Sequence, residues 1–517
     1  MSVREVIETA VKKNPAKTYL YFKDEEISYQ DFNDNINRVA NGFLRKGIKK
    51  GDIVSLFLPN CPEFLYCWLA LSKIGAIMVP INTAYKGQEA KYILNHSEAK
   101  IVVVTPEYLE IVRSIRKGCK HLEEIILVSD SPAPDAELLS DLVKGSSTDL
   151  IPVDISDDDL SCILYTSGTT GPPKGCMLPN DYYTLQGEEI VRFLKLTPDD
   201  RMLTCLPLFH MNAQTQTTMG SLTVGCSMIL LDRFHAHNFW DDVRRYKATQ
   251  FDYIGAMLAI LYKLPETEQD RKHSVSRIWS GGCPREILEK FEGRFGLKII
   301  EGYGLTESGT NTRHSVDMKR KIGSQGVPVS YQEVRVVDDK DRELPTNAIG
   351  EIVVRGKGLM KGYYKEPETT ARALRGGWCH TGDNGYMDED GYLWFVDREK
   401  DIIRRSGENI SSMEVEHVIQ SHPKVGEAAV IGVPDEIRGQ EVKACIILKP
   451  GETEETLPPE EIVSFCEERL AYFKVPRYIE YREVFPRTPT QRVEKYKLRT
   501  EKKDLTEGCF DRLKTFP

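Results

Sequence analysis

The chain has 517 residues, 40% hydrophobic and 28% charged, a globular composition too long for one ordinary core. Its 69 basic and 78 acidic residues leave a net charge of −9, which disfavours nucleic acid as the main partner because phosphate binding needs a basic footprint. Twelve cysteines without a CxxC pair suggest neither a disulfide framework nor a zinc site, and no apolar run reaches the roughly 18–20 residues of a membrane span. The N-terminal MSVREVIETAVKKNPAK has the pattern of an amphipathic helix with charges throughout, not of a signal peptide. A soluble protein of a reducing, cytoplasmic compartment is expected.

Helix and strand signals alternate from residue 28. ISYQDFNDNINRVANGFLRKG has apolar positions at helical spacing and is closed by Gly47. DIVSLFL is a strand, Pro62 opens the helix CPEFLYCWLALSKIG, IMVPIN is a strand, QEAKYILNHS a helix and KIVVV a strand. This βαβ rhythm predicts a parallel, helix-covered sheet. Residues 128–157 are acidic, Ser/Pro-rich and without a period, so a surface connector is expected. LSCILYT is a buried strand, RMLTCLPLFH ends a strand at His210, and CSMILLD and ATQFDYIG are strands flanking the helix HNFWDDVRRYK. SRIWSGG and LKIIEGYG are strands that end in glycines, where doubly wound sheets bind ligands. From about residue 331, EVRVVDD, GEIVVRG and GYLWFVDR predict a β-rich subdomain. A new unit follows Asp401, with helices SMEVEHVIQSH and PPEEIVSFCEERL and strands AAVIGV and KACIILK. The expected fold class is α/β: a large N-terminal domain of parallel helix-covered sheets with a β-rich subdomain, then a small α+β C-terminal domain.

Tyr165–Gly175, YTSGTTGPPKG, follows the LSCILYT strand and is all hydroxyls, glycines, prolines and one lysine. Gly168, Gly171 and Gly175 let backbone N–H groups approach an anion. Thr166, Ser167, Thr169 and Thr170 add hydroxyl donors, and Lys174 adds a mobile positive charge. Such a loop suits nucleotide phosphates, although its composition also fits a plain surface turn. It is not the usual P-loop, because Lys174 is followed by Gly175 instead of Ser or Thr. Gly302–Glu307, GYGLTE, offers close backbone at Gly302 and Gly304, a Tyr303 ring face for a purine, the Thr306 hydroxyl and Glu307 as a hard oxygen ligand for Mg²⁺. A turn with a solvated glutamate reads equally well from these residues alone. In Trp378–Asp383, WCHTGD, Asp383 has the chemistry to accept both hydroxyls of a ribose, or to form an Asx turn.

In this order and spacing, YTSGTTGPPKG, GYGLTE and WCHTGD resemble the signatures of the acyl-adenylate-forming superfamily, which includes acyl-CoA synthetases, luciferases and peptide-synthetase adenylation domains. The resemblance implies ATP and coenzyme A as substrates, Mg²⁺, and a two-step ligation of a carboxylic acid through acyl-AMP. It implies that Asp383 and Arg398 hold the ribose or phosphates and that Lys400 is a hinge. It further implies that RSGENI, with Ser406, Gly407 and Glu408, lines a thiol tunnel after adenylation. Residues 1–397 then form the adenylate-forming domain, 398–401 the hinge and 402–517 the mobile domain. The acyl group is expected beside His210, Met211 and Asn212, with Tyr253, Gly281 and Gly282 as further walls.

NCPEFLYCWLALSKIGAIMVPIN, PLFHMNAQ and FKVPRYIEYRE resemble the crotonobetaine/carnitine–CoA ligase branch, which implies a trimethylammonium acid. Such a cation wants aromatic faces, and Tyr253 and Trp279 are the candidates. A medium- or long-chain fatty acid is the alternative substrate. One departure stands out: near the C-terminus the superfamily carries a lysine that bridges carboxylate and α-phosphate, whereas this chain places Arg492 there. A planar fork is not a point charge. Either Arg492 serves, or Lys495 or Lys497 substitutes, or adenylation is weakened and the chain becomes an adenylate-binding protein. On the first reading, Arg492→Ala lowers carboxylate-dependent pyrophosphate release far more than thioester formation from preformed acyl-AMP; equal losses in the two assays exclude it.

Overall fold

The computed structural model describes residues 1–150, 153–166, 172–281, 283, 285–398, 402–486, 493 and 495–515. The chain divides into two compact units, one of Met1–Thr83, Ile93–Thr166 and Gly175–Asp397, the other formed mainly by Arg398–Pro517, with Ala84–Tyr92 grouped with it.

The first unit opens on the helix Val3–Lys13. It is started by a capping box in which Ser2 Oγ accepts from the Glu5 amide and the Glu5 carboxylate accepts from the Ser2 amide. The helix Tyr29–Arg45 is capped by Ser28, whose hydroxyl accepts from the Asp31 amide. Pro62 begins the helix Pro62–Ile74, where its missing N–H is no loss, and nearly every residue of that helix is buried. It covers a seven-stranded sheet whose centre is the buried run Ile53–Phe57, paired in parallel with Ile77–Pro80 and with Ile101–Val104. Leu160–Thr166 joins this sheet beside Ile77–Pro80, and Lys174–Pro179 forms its edge.

A nine-stranded sheet runs parallel from Lys298–Leu305 through Arg277–Ser280, Gln250–Asp252, Arg201–Thr204 and Ser227–Leu230 to Thr18–Phe22. Parallel strands of this kind are buried on both faces, which is why they read as unbroken apolar runs. Gln332–Val337, Gly350–Gly356, Cys379–Met387 and Leu393–Arg398 form a separate four-stranded sheet, the β-rich subdomain expected from the sequence.

Two sequence expectations change here. The connector 128–157 contains a short strand, Glu137–Leu138, and a helical turn, Leu139–Val143. Leu139 and Leu142 are buried, and a Cβ on Gly42 would come within 2.7 Å of the Leu142 side chain. Asn37 and Asn41 donate to the carbonyls of Thr148 and of Ser147 and Asp149, so side chains of the Tyr29–Arg45 helix hold the connector. The strand before His210 ends at Thr204; a turn closed by the His210 amide on the Pro207 carbonyl then leads into a π-helix, Ala213–Thr218. All six π-helix residues are buried, five of them polar. The sequence AQTQTT carries no apolar period to announce it, and such wide turns recur at functional sites.

The other unit carries a sheet containing Glu408–Ser411, Ile402–Arg405, Gly439–Leu448 and Tyr478–Tyr481, with Val425–Asp435 paired along Gly439–Leu448. RSGENI forms the tip and flanking strand ends of a β-hairpin. Ser406 (φ 52°) and Gly407 (φ 88°) form its two-residue tip, and both adopt the left-handed conformation that suits a primed turn. Below the tip the Arg405 guanidinium donates to Glu441 at 2.7 Å, both side chains being buried. No helix among the described residues is long and apolar enough to cross a membrane.

Beneath the π-helix, Asp252 is fully buried, accepting from the Thr217 hydroxyl and, at 2.6 Å, from Gln250 Nε2. Burial pushes its carboxyl up to about 7, against the hydroxyl and amide bonds that pull it down. The folded state therefore holds a proton that the unfolded chain releases near pH 4. Stability contributed by protonated Asp252 is lost as pH rises from about 4 to about 7 and is level above that. We expect the stability difference between Asp252→Asn and the parent protein to move in favour of the variant over this interval, with a slope of at most about 1.4 kcal/mol per pH unit. Urea denaturation at a series of pH values checks this, and parallel curves for the two proteins exclude it.

Candidate active site

The buried strand Leu160–Thr166 becomes half-exposed at Tyr165 and Thr166, where the Gly-rich loop begins. Ser167, Gly168, Thr169, Thr170 and Gly171 lie outside the described residues. Lys174 starts the returning strand, and Gly175 next to it has a packing role: a Cβ there would lie 2.6 Å from Ile163 and 3.1 Å from the Tyr165 ring. Tyr165 Oη and His96 Nδ1 lie 2.7 Å apart, which fixes the end of the strand.

A short segment ties this strand to the second motif. The Met177 amide donates to the Gly362 carbonyl, the Lys361 amide donates to the Met177 carbonyl, and the Tyr364 amide donates to the Gly175 carbonyl. Tyr363, carried on that segment, donates its hydroxyl to Glu307 Oε1 at 2.9 Å, and the Met360 amide donates to the Glu307 carbonyl. Burial and the neighbouring carboxylate push the Tyr363 phenol far above its ordinary range, so it remains a neutral donor. Glu307 is half-buried and keeps lone pairs for a hard cation.

In GYGLTE, residues 302–305 end one strand of a hairpin and Thr306 and Glu307 begin its turn. Lys298–Leu305 is parallel to Arg277–Ser280 over its first half and antiparallel to Gly309–Arg313 over its second. A Cβ on Gly302 would lie 2.3 Å from the Thr312 carbonyl oxygen and 2.5 Å from the Trp279 ring, and one on Gly304 would lie 2.3 Å from the Gly309 carbonyl oxygen. Gln186, a residue that no sequence motif marks, docks the hairpin. Its side-chain oxygen accepts from the Thr310 amide at 3.1 Å, and its amide nitrogen sits 2.7 Å from where a Gly309 Cβ would be. Thr306 is thereby held half-buried between two anchored residues.

Tyr303 links the second motif to the third. Its ring packs among Val334, Val336, Ile352, Val354 and Leu393, and its hydroxyl donates to Asp383 Oδ2 at 2.7 Å. Asp383 is only 1% exposed. It stands on a bulge, not on a simple turn. Glu351 pairs with Asn384 and Val353 with His380, so Ile352 alone faces Thr381, Gly382 and Asp383. Gly382 has φ +66°, and a Cβ there would meet nothing, so backbone conformation and not space demands glycine. Arg398 ends the Leu393–Arg398 strand of the same sheet.

Of the expected acyl-pocket residues, His210 ends the turn and Met211 and Asn212 are helical residues leading into the π-helix, and Asn212 Nδ2 approaches Ser280 Oγ at 3.5 Å. The Tyr253 amide donates to the Trp279 carbonyl. Among the described residues, Asn212 Oδ1 and the hydroxyl of the fully buried Tyr253 are buried without a hydrogen-bond partner. Gly281 permits a close strand approach, since its Cβ would lie 2.8 Å from the Gly302 carbonyl oxygen. Trp279, expected as an aromatic wall, packs against Phe193 at a centroid distance of 4.4 Å in a core with Ile190 and Ile300. Gly282, Lys400 and Arg492 lie outside the described residues. Ser406, Gly407 and Glu408 form the hairpin tip and its return in the other unit. Tyr363 and Gln186 were invisible to motif reading because they act through contacts about 56 and 124 residues distant in sequence.

Strands ending in glycines, an anchored half-buried carboxylate and a buried aspartate on a bulge have the chemistry expected of a nucleotide site in an α/β fold. Comparison with known proteins agrees. The model of the AMP-binding enzyme family matches residues 7–364, and that of the AMP-binding enzyme C-terminal domain matches 414–492. Crotonobetaine/carnitine–CoA ligase of Salmonella paratyphi A is 39% identical over 499 residues, covering 93% of this chain and 96% of its own. An anthranilate CoA ligase solved with anthranoyl-AMP is 29% identical with a TM-score of 0.75, covering 97% of each chain. The o-succinylbenzoate CoA synthetase of Bacillus subtilis is 26% identical with a TM-score of 0.83, covering 95% of this chain and 97% of that one. The chain belongs to the AMP-binding enzyme family. Within that family it is an acyl-CoA synthetase of the AMP-forming kind, using ATP and coenzyme A.

The glycine geometry makes a direct prediction. Gly302→Ala forces its methyl into the Thr312 carbonyl and the Trp279 ring, and should destabilise the protein by about 1–3 kcal/mol. Gly293→Ala, on an exposed helical position with open space around it, should instead stabilise by about 0.5–1 kcal/mol. Chemical denaturation of the two variants compares them, and effects of the same sign refute the packing account.

Proposed function

We propose that the acid activated by this enzyme is a trimethylammonium acid of the carnitine or crotonobetaine type. The observation that carries the reading is the 39% identity to a crotonobetaine/carnitine–CoA ligase across 93% of the chain. The pocket chemistry supports it. A site for an unbranched fatty tail has no use for buried polar atoms, each of which costs about 1–3 kcal/mol when left unpaired. The Asn212 carbonyl oxygen and the Tyr253 phenol oxygen are two such atoms, and both carry partial negative charge suited to a quaternary ammonium. Trp279 and Tyr253 both pack in apolar cores, and Tyr253 is the candidate of the pair whose hydroxyl is buried without a hydrogen-bond partner.

In the proposed first half-reaction the carboxylate attacks the α-phosphate of ATP, giving acyl-AMP and pyrophosphate. Thr166, Lys174 and the loop residues 167–171 hold the departing phosphates. Gly302, Tyr303 and Gly304 supply the nucleotide wall, Thr306 a phosphate donor, and Asp383 and Arg398 the ribose contacts. Mg²⁺ fits Glu307, a half-buried carboxylate steadied on one oxygen by Tyr363; when bound, the ion supplies neutralisation of phosphate charge. Arg492 bridges carboxylate and phosphate. In the second half-reaction the coenzyme A thiol displaces AMP, with Lys400 as hinge and the Ser406–Glu408 tip beside the thiol. His210 orders the acyl end of the pocket. The protein's work in both steps is positioning and charge stabilisation.

The test is a panel of carnitine, crotonobetaine, γ-butyrobetaine and unbranched fatty acids with ATP, Mg²⁺ and coenzyme A, reading pyrophosphate and thioester together. The betaine acids should support both products at far lower concentration than fatty acids. Thioester formation from fatty acids alone overturns the substrate reading. Pyrophosphate without thioester overturns the second half-reaction.

A further inference from the structure

The bulge that carries Asp383 is clamped from outside by one carboxylate, and no motif includes it. Glu351 Oε1 accepts from the Gly382 amide at 3.0 Å, and Glu351 Oε2 accepts from His380 Nδ1 at 2.8 Å. The two oxygens thus hold both sides of the extra loop of strand. Inside the loop, Thr381 Oγ1 donates to the Ile352 carbonyl at 2.7 Å and accepts from the Asp383 amide at 3.1 Å. Asp383 leaves the loop and meets Tyr303. Glu351 is itself held by Arg375, which donates to Oε2 at 3.2 Å and pairs bidentately with Asp341. Asp341, Glu351 and His380 have the ligand spacing of a cation site, but the Arg375 guanidinium already pairs with both carboxylates. The cluster is a brace, with a positive charge built in.

We propose that Glu351 is a positioning residue for nucleotide binding, acting through the Thr381–Asp383 bulge to aim the Asp383 carboxylate. A two-residue bulge has no ladder of its own, so its shape depends on side-chain clamps. Glu351 is the clamp that reaches the Gly382 amide, the one N–H at the left-handed corner of the loop. Its charge makes that bond about twice as strong as a neutral one. The inference rests on the reading that Asp383 contacts the nucleotide.

Affinity for AMP and ATP, measured by titration calorimetry on the full-length protein, tests both layers in a double-mutant cycle. Asp383→Ala should weaken binding about tenfold or more. Glu351→Ala should weaken it by about the same factor, while in the Asp383→Ala background the same change should cost less than about twofold. Glu351→Gln keeps an oxygen for the Gly382 amide and should recover most of the affinity. Where Glu351→Ala does not fold, Glu351→Asp replaces it, because the shorter side chain cannot reach Gly382 and His380 together. If Asp383→Ala weakens binding and the Glu351 variants lower only the melting temperature, the positioning role is refuted and Glu351 is structural. If Glu351→Ala costs as much with Asp383 absent as with it present, the route through Asp383 is refuted. If Asp383→Ala itself leaves affinity unchanged, the nucleotide role of Asp383 falls, and this inference with it.

Discussion

The Tyr303–Asp383 hydrogen bond is the interaction on which the site's assembly turns. It joins the nine-stranded sheet, through Lys298–Leu305, to the four-stranded sheet, through Cys379–Met387. A buried carboxylate without a donor costs several kcal/mol, so the phenol and the aspartate constrain each other. The Tyr303 ring completes the core of the β-rich subdomain, which means that packing energy and site geometry are set by one side chain. The hairpin carrying Tyr303 is in turn held by strand approaches too close for any Cβ at Gly302 or Gly304.

Polar burial recurs around this centre. Gln186 accepts from Thr310, Gln214 Oε1 accepts from Tyr183, Asp252 accepts from Thr217, and Tyr363 donates to Glu307. A hydrogen bond in such a water-poor setting adds little net stability when made and costs much when broken. These contacts therefore define one arrangement of strands, hairpin and π-helix in preference to others of similar packing. Buried side-chain atoms without a partner occur at several places among the described residues, and two of them, on Asn212 and Tyr253, belong to residues proposed to line the acyl pocket. Unpaired buried atoms are tolerated where a ligand completes them.

The parallel strands, their order of helices and the β-rich subdomain were legible in the chain. Buried parallel strands need continuous apolar runs such as IVSLF and IVVV, and capping residues such as Ser28 and Pro62 mark helix starts without reference to anything distant. The helical turn in the connector 128–157 leaves no sequence signal because its buried residues, Leu139 and Leu142, are too few to show a period. The π-helix has no sequence signal because five of the six residues of AQTQTT are polar and are buried only by the company they keep.

By itself, then, the sequence determined the class of chemistry: a Gly- and hydroxyl-rich loop after a buried strand, GYGLTE at the end of another, and TGD before a charged segment are local patterns that few chemistries require together. Only the tertiary structure decided how those patterns meet. That Tyr303 turns its hydroxyl to Asp383, that Glu307 is steadied by Tyr363, that Trp279 is packing and that TGD is a bulge braced by Glu351 all depend on contacts between residues tens of positions apart. Such contacts leave no local trace, because each partner taken alone is an ordinary tyrosine, tryptophan or glutamate on an ordinary strand.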